Sequence, residues 1–392
     1  MIDRSRLFET LSGRLAESRA VALLGARQVG KTTLAQAYAA RHRCAYFDLE
    51  DPQALQELAQ PAAVLQSLLS QGRTVVIDEV QRRADIFPLL RNLIDRHDSN
   101  AQFLLLGSAS PLLLRQSGES LAGRLSLLYV GGLGLAEAPG ISLDSMWLRG
   151  GFPRACLAGN DRSALRWLRD YLSLVIERDL PQLGLNVAAP VMQRFWRVLA
   201  HYHAQTWNGS DIGRNLGLSE PTVRKYLDFL TGLQLVRQLA PWHENLSKRQ
   251  VKAPKVYIRD SGLLHYLLGI EQADALWLHP KSGASWEGFA LEQVLQVAQP
   301  DEAYFWATHA GAELDLLMFK HGLRVGVEFK RSDAPKMTTA MHIALQDLKL
   351  DALYIVYPGE RRYSLRSEAM NPDTPVEAIP LSDLSTMHAD WS

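Results

Sequence analysis

The chain has 392 residues, 47% of them hydrophobic and 21% charged. That length exceeds what one core usually supports, so two or three domains are expected, and the apolar content excludes a disordered chain. Lys+Arg and Asp+Glu balance at 42 each, which excludes a uniformly basic nucleic-acid binder and confines any such contact to a local patch.

Two cysteines, Cys44 and Cys156, fit neither a disulfide framework nor a zinc site and point to a reducing compartment. The first residues lack the apolar core of a signal peptide, and no apolar run approaches about 20 residues. A soluble cytoplasmic protein without membrane association is the expectation.

Residues 1–20 read as a helical lead-in whose arginines, Arg4, Arg6, Arg14 and Arg19, are expected on a solvated face. An apolar run from Val21 to Leu24 then stops at Gly25, and Gly30-Lys31-Thr32-Thr33 follows. The spelling G-x-x-x-x-G-K-[ST] between a strand and an amphipathic helix is a phosphate-binding loop, here Gly25, Ala26, Arg27, Gln28, Val29, Gly30, Lys31, Thr32 and Thr33. Its glycines let backbone N–H groups face a phosphate chain, Lys31 supplies a point charge, and Thr32 offers a hydroxyl to Mg²⁺. The expected ligands are ATP or ADP with Mg²⁺.

A second strand is expected over Cys44–Leu49, with a helix opening at Asp51-Pro52. The β-branched run Arg73–Ile77 reads as a strand buried on both faces, and it ends in Asp78-Glu79. Acids at the carboxyl end of a parallel strand lie where ligands bind in open α/β sheets. Asp78 is expected to hold Mg²⁺ and Glu79 to polarise the attacking water. A fourth strand, Gln102–Leu106, leads to Ser108, a candidate sensor of the γ-phosphate. Arg124, with Arg115 as the alternative, is a candidate for donation to a neighbouring subunit's nucleotide, which requires a homo-oligomer.

Gly25–Thr33, VVIDEVQ from Val75 to Gln81, and LAGR from Leu121 to Arg124 resemble AAA-superfamily ATPases. Within them the chain is similar to a bacterial and archaeal subfamily that joins an N-terminal ATPase to a C-terminal half known only as a domain of unknown function. Gly150-Gly151-Phe152-Pro153 and Glu177-Arg178-Asp179-Leu180 are further signposts of that subfamily. The loop Val130–Leu135 departs from its usual proline and serine ahead of the acid at Glu137.

A helical pattern over Pro190–Gln205 precedes a short helix expected to be capped by Ser210, a turn at Gly217-Leu218-Ser219, and a second helix from Glu220 towards Leu235. This is a helix–turn–helix plan, with strands at 235–239 and 255–258 as a wing. Ser219, Thr222, Arg224 and Lys225 would face a DNA groove. Lys248, Arg249, Lys252 and Lys255, with Arg259 beyond them, form the clearest basic patch. The alternative is a lid or oligomer contact. His201 and His203 read as core or surface residues.

In the last third, Glu287 lies on a helix, and strands are expected at 313–319 and 324–330. Alternation places Glu313 with Asp315, and Glu328 with Lys330. Two acids and a lysine from adjacent strands suit Mg²⁺, with Lys330 beside a nucleophilic water. The set resembles the D…E-x-K core of the restriction-endonuclease and Holliday-junction-resolvase fold, with Glu287 as its helical acid. A helix over 334–348 and a strand over 352–357 would complete it, and the tail from Asn371 carries no chemical signal.

The fold class expected is α/β: an AAA-type parallel-sheet ATPase domain (1–150), a helical connector (151–187), a winged helix-turn-helix (188–260) and a PD-(D/E)xK nuclease-like domain (261–392). The function expected is Mg²⁺-dependent ATP hydrolysis coupled to DNA, branched DNA included. The alternatives are a nucleotide-switched regulatory or interaction protein with an inactive C-terminal domain, and ATP-driven protein remodelling.

Overall fold

The computed structural model describes residues 2, 4–96, 102–108, 121–244, 250–365 and 374–384. The chain forms two compact units. One comprises Met1–Leu133 with Gln182–Leu185 and Asp228–Gln234; the other comprises Gly134–Pro181, Asn186–Leu227 and Leu235–Ser392.

In the first unit, α1 (Ser5–Glu17) leads into β1 (Ala20–Gly25), and the phosphate loop connects β1 to α2 (Lys31–Arg41). There follow β2 (Cys44–Asp48), α3 (Pro52–Glu57), α4 (Pro61–Ser70), β3 (Thr74–Asp78), α5 (Phe87–Asp95), β4 (Phe103–Ser108) and β5 (Ser126–Tyr129). The five strands are all parallel in the order β2-β3-β4-β1-β5. Every residue of β1 and β3 is buried, which is why both read as continuous apolar runs rather than alternations. Asp51 caps α3 by accepting from the Gln53 N–H, and Pro52 occupies its first turn. Phe47, Leu49, Ile77, Phe87, Leu90 and Leu105 lie in the core on one face of the sheet.

Of the lead-in arginines, Arg6 and Arg19 are exposed as expected, whereas Arg4 and Arg14 are half-buried. Arg4 donates to the carbonyls of Val29 (3.0 Å), Gly131 and Gly132, and Arg19 to those of Ile94 and Arg96. Arg14 bonds the Leu127 carbonyl. A guanidinium presents five donors in a fixed fork, so one side chain can tie several loop carbonyls together.

In the second unit, α6 (Leu143–Arg149) and α7 (Asp161–Leu174) precede a π-helical stretch, Val175–Asp179, that carries the Glu177-Arg178-Asp179 motif. Then come α8 (Ala189–His201), β6 (Gln205–Thr206), α9 (Gly209–Leu216), α10 (Glu220–Gly232, of which Glu220–Leu227 belong to this unit), β7 (Val236–Leu239) and β8 (Lys255–Ile258). β6, β8 and β7 form an antiparallel three-stranded sheet in that order. The cap of α9 is Asn208, whose side chain accepts from the Asp211 N–H at 3.1 Å, and not Ser210. Ser210 instead donates to Glu220 at 2.6 Å, linking the first residues of α9 and α10.

After α11 (Ser261–Leu268) and α12 (Ser282–Ala298) come β9 (Glu302–Ala307), β10 (Glu313–Lys320), β11 (Leu323–Phe329), α13 (Thr339–Leu348), β12 (Ala352–Tyr357), β13 (Tyr363–Ser364) and β14 (Val376–Pro380). They make a mixed six-stranded sheet ordered β13-β14-β12-β11-β10-β9, with β11, β12 and β14 parallel. The tail beyond Asn371 therefore contributes a strand, β14, that the sequence did not signal. Among the described residues no helix is long and apolar enough to cross a membrane.

Candidate functional site

The register of the parallel sheet brings the motif residues to one edge. Gly25 pairs with Ser108 and Asp48 with Asp78, and the pairing of Ile77 with Leu105 puts both pairs of strand ends at one edge, with β1 and β4 running two residues beyond β2 and β3. Gly25 is required by close approach: a Cβ there would meet the Val130 carbonyl oxygen at 2.2 Å. Gly30 has φ 99°, a left-handed conformation that opens α2. Buried Lys31 folds back, its Nζ donating to the carbonyls of Gly25 (3.0 Å) and Ala26 (2.9 Å). Burial lowers its pKa to about 8, against the pull of Glu79 and Asp78.

Asp78 is the convergence point. Its Oδ2 accepts from the Thr32 hydroxyl at 2.8 Å and from the Tyr46 hydroxyl at 2.7 Å, while Oδ1 accepts from the Glu79 N–H at 2.9 Å. Glu79 has φ 54°, a conformation uncommon outside glycine. Burial raises the pKa of its carboxyl, partly opposed by Arg27 and Lys31, and Gln81 donates to it. A hydroxyl and a carboxylate meeting beside a phosphate loop are the oxygen donors that Mg²⁺ takes, so Thr32 and Asp78 fit that ion. Tyr46 is the member that sequence reading missed; its only signal was its place near the carboxyl end of a strand predicted to neighbour this edge.

The other first-unit candidates stand as follows. Ser108 ends β4 opposite Gly25. Arg124 is engaged within its own chain: it pairs with Asp95 and donates to the Ala122 carbonyl at 2.9 Å. Arg115 lies outside the described residues.

A P-loop ATPase domain of the AAA type is what the parallel sheet, its loop and its strand-end acids define. The AAA domain family matches residues 17–138, and two domains of unknown function, DUF8612 and DUF4143, match 141–274 and 282–383. The uncharacterized proteins Rv2008c of Mycobacterium tuberculosis and Mb2031c of Mycobacterium bovis are each 43% identical over 386 residues, covering 98% of this chain and 85% of theirs. The chain belongs to the family of these mycobacterial proteins. The Walker-type ATPase paby2304 of Pyrococcus abyssi is similar in fold, with a TM-score of 0.52 at 18% identity over 68% of this chain and 96% of that one.

In the second unit, Arg224, Lys225 and Lys252 are exposed, and Thr222 is half-buried with its hydroxyl 2.8 Å from that of Ser219. Lys248 and Arg249 lie outside the described residues. The rest of the expected basic patch turns inward. Arg259 pairs with Glu292, as does Arg237 from outside the expected patch, and Lys255 is buried. His203 is also buried, its Nδ1 accepting from the Ile258 N–H.

The strand β8 explains this inversion. Lys255 and Tyr257 alternate onto one face, and both meet Glu287 of α12, at 3.0 and 2.7 Å. Lys255 Nζ also reaches Asp315 at 3.3 Å and Glu313, and lies 5.7 Å from the centre of the Phe305 ring. Asp315 falls where β10 carries one extra residue relative to β9, a bulge that re-aims side chains. Its other oxygen accepts from the Phe329 N–H, and Lys330 pairs with Glu328 at 2.7 Å. Burial and the neighbouring Asp315 carboxylate push Glu287 up to about 7 and Glu328 up to about 8.

The sequence thus placed Glu287, Asp315, Glu328 and Lys330 in one neighbourhood, and the structure brings them together. What it adds is a second lysine among the acids. Among the described residues no group of three or more acids, histidines or cysteines is arranged to hold a metal ion. As arranged, this centre does not fit a divalent cation.

Proposed function

We propose that the protein is a Mg²⁺-dependent, ATP-hydrolysing AAA-type protein that acts on DNA. The observation that carries the reading is the shared acceptor Asp78 Oδ2, bonded by the phosphate-loop hydroxyl of Thr32. In this reading Gly25 to Thr33 wrap the triphosphate and Lys31 leaves its carbonyl partners for the β- and γ-phosphates. Thr32 and Asp78 hold Mg²⁺, which when bound offsets charge on the transferred phosphoryl group. Glu79, raised in pKa by burial, orients and deprotonates water. Ser108 senses the γ-phosphate from the next strand. Arg124 exchanges Asp95 for a neighbouring copy's nucleotide on assembly.

The macromolecular side of the proposal rests on the second unit. Two helices joined by a turn, followed by a small antiparallel sheet, support a winged helix-turn-helix whose exposed Arg224 and Lys225 meet a phosphate backbone, with Lys248, Arg249 and Lys252 adding charge. The order of β10, β11, α13 and β12, with acids on α12, β10 and β11, supports a restriction-endonuclease or resolvase-like fold. Free Cys44 and Cys156 accord with a cytoplasmic setting.

A second reading is favoured by one observation, the lysine among the C-terminal acids. In it the last domain binds or regulates and does not cleave.

The test measures ATP hydrolysis and binding with linear, forked and four-way DNA, in Mg²⁺ or Mn²⁺, for wild type, Lys31→Ala and Asp315→Ala. DNA-stimulated hydrolysis lost in Lys31→Ala is expected. Absence of both DNA binding and DNA stimulation would end the DNA reading, and strand scission abolished by Asp315→Ala would end the second one.

A further inference from the structure

We infer that Lys255 is the resident cation of the C-terminal carboxylate centre and that its ammonium closes the centre to divalent metal. An ammonium has three N–H donors and no acceptor. The Lys255 ammonium faces three carboxylates, Glu287, Glu313 and Asp315, one for each donor. The ring of Phe305 lies near the same charge. Only 4% of the lysine's surface is exposed, and Glu287 and Asp315 are largely buried around it, whereas Glu313 lies at the solvent edge.

Mg²⁺ and Mn²⁺ bind in such places only through near-octahedral oxygen at about 2.0–2.1 Å, usually retaining several waters. The Nζ of Lys255, within 3.3 Å of Glu287 and Asp315, occupies the space between them that such an ion needs. The remaining acid, Glu328, is taken by Lys330. Four carboxylates therefore meet two ammonium groups, and each acid already has a cationic partner.

The lysine is delivered by β8 of the three-stranded sheet, not by the six-stranded sheet that bears Glu313, Asp315 and Glu328. Tyr257, two residues along, bonds Glu287, and Arg259, two further, bonds Glu292. The centre thus ties the small sheet to α12 and β10. Its work is cohesion between these elements, a role that depends on neither ATP hydrolysis nor DNA binding.

The test titrates Mn²⁺ into the nucleotide-free full chain, following free Mn²⁺ by electron paramagnetic resonance. Wild type, Asp315→Asn, Lys255→Ala and Lys255→Ala/Asp315→Asn are compared, with folding checked by circular dichroism. The expected result is no Asp315-dependent binding in wild type, and a gain of one bound Mn²⁺ per Lys255→Ala chain that is lost in the double variant. Wild-type binding removed by Asp315→Asn overturns the inference, as does a folded Lys255→Ala protein with no gain. If Lys255→Ala does not fold, the wild-type comparison still decides the first point, and Lys255→Gln, which keeps most of the stem, decides the second.

Discussion

The phenol of Tyr46 and the hydroxyl of Thr32 donate to one and the same oxygen of Asp78, at 2.7 and 2.8 Å. Tyr46 comes from β2 and Thr32 from α2, so the strand-end acid is fixed from two elements before any ligand arrives. Burial and the Asp78 carboxylate raise the phenol's pKa above its ordinary range, which keeps it a donor. Groups that orient a metal's carboxylate from behind typically matter about 10–100-fold in affinity or activity. We expect Tyr46→Phe to lower kcat/KM for ATP by roughly tenfold and to raise the Mg²⁺ concentration needed for half-maximal rate. Nucleotide binding without Mg²⁺ should be little changed. An unchanged Mg²⁺ requirement would remove Tyr46 from the site.

Much of that site could be read from the chain because its parts are contiguous. The phosphate loop and the Asp78-Glu79 pair are each a single stretch, and the burial of β1 and β3 shows as unbroken apolar runs. Tyr46 could not be read, since its role depends on β2 lying beside β3 in register with Asp78. Lys255 was misread for a related reason. It follows Lys248, Arg249 and Lys252 at similar intervals, and composition does not reveal which lysine begins a strand buried on both faces. The alternation Lys255, Tyr257, Arg259 against Val256 and Ile258 was the available clue. β14 was missed because five residues ending in proline resemble a loop.

Exposed Arg224 and Lys225 lie in the second turn of α10, the helix that would enter a groove. A phosphate contact loses affinity uniformly across sequences and lowers the slope of log K against log salt by about one. Arg224→Ala and Lys225→Ala are each expected to weaken duplex binding severalfold with that change in slope, measured by fluorescence anisotropy from low to moderate salt. An unaltered slope in both would place the DNA contact elsewhere.

Asp260 ties the Gly150-Gly151-Phe152-Pro153 signpost to α11: it accepts from the N–H groups of Gly151 (2.8 Å), Phe152 (3.2 Å) and Leu263 (2.8 Å). Burial raises its pKa from 3.8 to about 6, with those N–H bonds pulling the other way. A raised folded pKa means that the folded state holds the proton more tightly. The associated stability is full below pH about 4 and is lost as pH rises through about 6. At about 1.4 kcal/mol per pKa step this amounts to at most roughly 3 kcal/mol, less where water reaches the half-buried group. Asp260→Asn removes this dependence. The stability gap between wild type and variant should shift in the variant's favour from pH 4 to 7 in urea titrations, and parallel curves would contradict the assignment.

Glu292 is the opposite case. Arg237 bonds it through Nη2 at 3.0 Å and also through Nε, and Arg259 contributes Nε and Nη2 at 3.0 and 2.9 Å. Burial alone would raise the carboxyl, but the two guanidinium groups outweigh it and hold the pKa at about 2. A depressed folded pKa contributes stability that is present above about 4.5 and disappears as pH falls towards 2, again roughly 3 kcal/mol by the same conversion. Removing the acid leaves two arginines facing each other with their shared counter-charge gone, which in buried pairs typically costs about 3–5 kcal/mol. Glu292→Ala should therefore unfold at lower urea near neutral pH and lose most of the acid sensitivity between pH 4.5 and 2. Glu292→Gln keeps an acceptor and should fall between it and wild type. Since Arg259 follows directly on β8, the alanine variant should also loosen the three-stranded sheet, seen as faster amide exchange at Val256 and Ile258; protection there equal to wild type would confine the role of Glu292 to its own helix.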